Sequence, residues 1–226
     1  MSLRVNHLVG FGGSAGSAPL GVTFVDTDTD TNGTTADYGT VQMGTDFAGR
    51  QILVGLAGRS GAEDAIMVSG DLGGQSGTVL LNAVQTAGNN GSYAGFMLFE
   101  TPPSGTSATL TITFGGNMSV GSAICIWSLA DLQSATPKDT DSDLDGDHAN
   151  MTVSVVPGDW VFGAEFARND TTPGWTGIDE DAEVVVPGSG DGCWGSREMT
   201  TTDAAYDVTG DMNVQSTNVG CCIVLR

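Results

Sequence analysis

The sequence predicts an all-β protein, an antiparallel, jelly-roll-like β-sandwich of about a dozen strands. Three observations carry this expectation. With 34 glycines, abundant Thr and Ser, and only 15% charged residues, the composition favours short strands joined by tight turns. No stretch long enough to form a helix carries an apolar stripe at helical spacing. Apolar runs instead alternate with period 2 between turn residues. The clearest places Leu110, Ile112 and Phe114 on one face of a strand and Thr109, Thr111 and Thr113 on the other.

Taken in order, residues 1–20 read as an N-terminal arm and Gly/Ser tether. Two catalytic patterns fall in it. Gly12-Gly-Ser14-Ala-Gly16 matches a nucleophile elbow, and Gly10-Phe-Gly12-Gly-Ser14-Ala15 approaches a dinucleotide fingerprint. Each requires a helix directly afterwards, but Pro19 and a β-rich run follow, so context removes both.

Residues 21–226 read as the sandwich domain, with two halves meeting near 133–149. Its first strand, 21–25, leads into the acidic run Asp26-Thr-Asp28-Thr-Asp30-Thr-Asn32-Gly33, read as a loop. Residues 41–43 form a short strand, and the apolar run 50–57 suits the middle of a sheet. Residues 65–69 pair with 78–84 across the Gly-rich turn 70–77. Asn89-Asn90-Gly91 signals a hairpin before 93–99, and Pro102 to Gly105 turns the chain into 108–114. Residues 123–129 have the β-branched and aromatic content of a buried strand, followed by a second acidic loop at 138–147. Further strands are expected at 151–155, 160–166, 175–178, 182–186, 192–195, 208–214 and 219–225, with a Pro157-Gly158 turn. Together they suit two packed sheets.

Seven basic against 27 acidic residues give a net charge of −20, and Lys138 is the sole lysine. Such a surface repels phosphate backbones and anionic membranes, so neither nucleic acid nor membrane is expected as a partner. It suits saline surroundings, where screening relieves self-repulsion, and fits a marine source. No positively charged leader precedes a long apolar run, and no stretch is long and apolar enough to span a bilayer, so neither secretion by signal peptide nor membrane insertion is expected. Cys125, Cys193, Cys221 and Cys222 lack metal or redox spacing and read as small buried hydrophobes.

The acidic runs are the sharpest local signal. Asp28, Asp30 and Asn32, and again Asp141, Asp143 and Asp145, match the first half of a calcium loop, where alternate oxygens before a glycine converge on a hard cation. Ca²⁺ is thus the one cofactor these residues suggest. The bidentate Glu of a full loop is missing, since Gly39 and Thr152 occupy its place. A solvated acidic turn is the alternative. For hydrolysis, Ser14 with His148 or a pair among Glu165, Glu180, Glu183 and Glu198 has the right chemistry but no spacing that joins the groups. No enzyme activity is expected. Trp127 and Trp160 lie in apolar strands and read as core, whereas Trp175 and Trp194, beside Pro and Gly, are the candidates for exposed ligand contacts.

The succession of strand phrases at 49–59, 105–114, 123–127, 157–163 and 172–177 resembles jelly-roll-like β-sandwich proteins in the structural gene clusters of tailed bacteriophages and gene-transfer particles. The resemblance spans roughly 21–226 and rests on strand-and-turn phrases. It implies a virion component made in a bacterial cytoplasm, a capsid decoration (cement) or head spike protein that binds capsid or tail proteins as a homo-oligomer. The alternative expectation is a tail or fibre module that recognises a host surface glycan.

Overall fold

The computed structural model describes residues 20–30, 33–60, 66–87, 90–116, 118, 120–144, 148–168, 174–186, 190–211 and 218–226. The first half contains β1 (Gly21–Asp30), β2 (Thr35–Gln42), β3 (Gln51–Ser60), β4 (Met67–Leu72), β5 (Gln75–Ser76), β6 (Thr78–Ala87), β7 (Asn90–Phe99), β8 (Ser107–Phe114) and β9 (Gly121–Ala130). The second contains β10 (Asp139–Asp143), β11 (His148–Val155), β12 (Trp160–Arg168), β13 (Trp175–Thr176), β14 (Asp179–Val186), β15 (Gly190–Glu198), β16 (Asp203–Asp211) and β17 (Val219–Leu225). Among the described residues all regular structure is strand, and every pairing is antiparallel. The expected N-terminal arm lies outside the described residues, apart from Leu20, which is buried.

The all-β expectation holds, but the architecture has four sheets where two were expected. A first inner sheet has the order β1-β9-β3-β7-β6, and a first outer sheet β2-β8-β4-β5. A second inner sheet runs β10-β17-β12-β15-β14, and a second outer sheet β11-β16-β13. No sheet mixes strands from before and after the 131–138 connection, so that connection separates two sandwiches. The expected pairing of 65–69 with 78–84 does not form. β4 turns at Gly73 and Gly74 onto the two-residue β5, and β6 then crosses to the inner sheet to pair with β7.

Period-2 alternation explains how these sheets stack. On β9, Cys125, Trp127 and Leu129 face one core while Ile124 and Ile126 face another. On β17, Cys221, Ile223 and Leu225 face the first of these, while Cys222 and Val224 face a third. The central strands of the inner sheets are therefore apolar on both faces, which is why β3, β9 and β17 read as continuous hydrophobic runs. The layers run outer, inner, inner, outer, with the central core between the two inner sheets.

The halves repeat one plan. Substituting β10, β17, β12, β15 and β14 for β1, β9, β3, β7 and β6 turns the first inner sheet into the second, and β11, β16 and β13 likewise replace β2, β8 and β4. Local chemistry follows. Gly49 and Gly158 both have positive φ, at 79° and 85°, in turns where Arg50 N–H donates to Phe47 C=O and Asp159 N–H to Val156 C=O. Contacts across the central core obey a pseudo-twofold relation: β12 crosses β7 as β3 crosses β15, and β17 lies on β6 as β14 lies on β9. The chain thus folds as an internal dimer with an isologous interface.

Candidate functional site

The acidic runs are strands, which corrects their reading as loops: Asp26, Asp28 and Asp30 belong to β1, and Asp139, Asp141 and Asp143 to β10. Their carboxylates bridge the inner and outer sheets. Asp26 accepts from Gln42 N–H at 2.8 Å and Asp30 from Asp37 N–H at 2.7 Å. In the second half Asp139, Asp141 and Asp143 accept from the N–H groups of Ser154, Thr152 and Asn150 at 2.7, 2.8 and 2.8 Å. Several also bind their own neighbour, as Asp28 does Thr29 N–H and Asp141 does Ser142 N–H. The carboxylates of Asp26, Asp30, Asp139, Asp141 and Asp143 therefore supply acceptors that the edge strands β2 and β11 would otherwise seek from another strand. Of the calcium candidates, Asn32 and Asp145 lie outside the described residues, and among the described residues no group of three or more His, Cys, Asp or Glu is arranged to hold a metal ion.

The tryptophans exchange roles. Trp194, expected at the surface, is 0% exposed in the central core, where a Cβ on Gly55 would sit 2.7 Å from its Cδ1. Its glycine neighbours mark a close approach of two sheets, so no ligand can stack on it. Trp175 is half-buried against Gly163 and Ile178. Trp160, expected in the core, is only partly buried and lines a cleft.

That cleft, about 380 Å³, lies where the halves meet. Val22 and Phe24 of β1 form one wall; Trp160, Asp179, Asp181, Ser196, Arg197 and Glu198 of the second half form the rest. Phe24 leaves 40% of its surface exposed. Asp181 is the fixed point, since its Oδ2 accepts the indole N–H of Trp127 at 2.8 Å and its carboxyl also bonds Ser196. Desolvation by burial raises the Asp181 pKa above the usual carboxylate value, and the two hydrogen bonds oppose that rise. No single stretch of the chain signals this cleft, because its walls come from β1, β12, β14 and β15.

Of the nucleophile and acid–base candidates, Glu165 of β12 and Glu183 of β14 lie in register on either side of Cys193 of β15. Ser14 and His7 lie outside the described residues, and His148 pairs with Asp211 at 3.2 Å on an exposed face. Glu165 is fully buried, whereas Glu180, Glu183 and Glu198 are exposed. All four cysteines are buried and free, and burial raises every thiol, Cys222 to about 12. Such thiols are poor nucleophiles.

No family model matches the sequence, and no curated protein or solved structure matches it either.

Proposed function

We propose that this chain is a structural component of a tailed-phage particle, an outer capsid decoration or head spike protein that binds the shell as a homo-oligomer. Strand order is the observation that carries the reading. In the first half β1-β9-β3-β7 faces β2-β8-β4-β5, with β5 and β6 forming one strand that bends from sheet to sheet. We read this order as that of a jelly roll, and the second half repeats the order with one outer strand fewer. Jelly rolls recur in capsid and lectin domains, and stacking two of them gives a rigid block with most of its backbone donors engaged. The −20 charge keeps such a block soluble and directs it away from packaged nucleic acid.

Its action is binding: the block bridges neighbouring shell subunits and adds contacts that resist their separation. Co-sedimentation of the purified protein with particles from the source tests this directly. Saturable association with heads is the expected result, and protein left at the top of the gradient at every concentration overturns it.

A further inference from the structure

We propose that the cleft between the halves is a binding site for a short neutral saccharide. Unlike the docking role, this site needs only residues of this chain. Phe24 and Trp160 present aromatic surface from opposite halves, and the flat C–H faces of a sugar ring stack on such surfaces. Around them lie three carboxylates, Asp179, Asp181 and Glu198, while the guanidinium of Arg197 donates to Gly177 C=O. Vicinal hydroxyls match this set, because each hydroxyl can donate to a carboxylate. An acidic sugar would meet three carboxylates, which excludes sialic and uronic acids.

The site is also built in advance. The Trp127 indole and Ser196 hold the Asp181 carboxyl in place before any ligand arrives, so little ordering is left for binding to achieve. The space is within the roughly 300–1,000 Å³ of small-molecule sites, at the junction of two structural units where such sites concentrate. Leu132 and Ala135 of the connection between the halves pack on the central core.

The test uses the full-length protein with maltose, cellobiose and diacetylchitobiose, and with sialyllactose and a tetra-arginine peptide as contrasts, read by saturation-transfer NMR and tryptophan fluorescence. At least one neutral saccharide should bind saturably. Phe24→Ala and Glu198→Gln should each weaken it about tenfold, roughly 1.4 kcal/mol, while Val185→Ser, on an exposed side chain outside the cleft, should leave it unchanged. Both cleft positions are exposed, so these variants fold, and their melting curves verify it. Silence from all three neutral sugars, equal affinity in the cleft variants, or binding by the peptide alone overturns the proposal. None of these outcomes bears on particle attachment, which the sedimentation experiment reads separately.

Discussion

The indole N–H of Trp127, on β9, donates to Oδ2 of Asp181, on β14, at 2.8 Å, and this hydrogen bond joins the first half of the chain to the second. Trp127 is fully buried and packs edge-on against Phe162 at 5.3 Å, so the same side chain supplies apolar area and one polar tie to the interface. Trp127→Phe should cost about 2–4 kcal/mol in urea denaturation, combining a cavity with a carboxyl that loses a donor.

Asp181→Asn should behave differently. The native pKa of Asp181 lies above its unfolded value, so its contribution favours folding below about pH 4 and is lost as pH rises through the native pKa. Asparagine keeps an acceptor for Trp127 without the buried charge. The variant should therefore match or exceed the parent's stability at pH 7, and the parent should gain on it as pH falls toward 3.

Lys138 Nζ lies 2.5 Å from Oδ2 of Asp159, which is fully buried, and Val156 N–H donates to the same oxygen. The only lysine in the chain thus sits in the connection between the halves, where it neutralises a carboxylate with no access to water. Lys138→Ala should cost about 2–3 kcal/mol, below the full cost of breaking a buried pair because Arg226 remains 3.9 Å away. Adding Asp159→Asn should recover part of the loss, as a double-mutant cycle would measure.

The carboxylates of β1 and β10 fix the sandwich edges. Asp141→Ala removes acceptors from both Ser142 and Thr152 N–H and should cost about 1–2 kcal/mol. If backbone capping is their role, that cost is the same in EDTA as in millimolar calcium. A cost that appears only with calcium would restore the metal reading.

Raised thiol pKa values make the fold alkali-sensitive. Unfolded cysteine ionises near pH 8.5–9 while the buried thiols stay protonated, so each lowers stability by about 1.4 kcal/mol per pH unit above that point, Cys222 only until about pH 12. Denaturation midpoints should fall steeply between pH 9 and 11. At pH 8 a thiol reagent should label no described cysteine until denaturant is added.

The apolar strands were legible because burial on alternate faces writes period 2 directly into residues such as Leu110, Ile112 and Phe114. The acidic strands were not. Asp disfavours strands locally, and what holds β1 and β10 extended is the distant row of N–H groups on β2 and β11, which only the fold supplies. The duplication was present in the sequence: Asp-Thr-Asp-Thr-Asp at 26–30 returns as Asp-Thr-Asp-Ser-Asp at 139–143, so the two matched acidic runs were repeats of one structural element. Trp194 misled because Gly192 and Gly195 resemble loop residues, whereas a Cβ at Gly192 would sit 2.4 Å from its indole ring. The cleft was illegible because its two walls are far apart in the chain.

Electron microscopy of particles purified from the source, labelled with antibody against this protein, tests the proposed role most directly. A capsid decoration or head spike predicts label distributed over the heads. Label confined to tails would contradict the head assignment and favour host recognition, and unlabelled particles would contradict a virion role altogether.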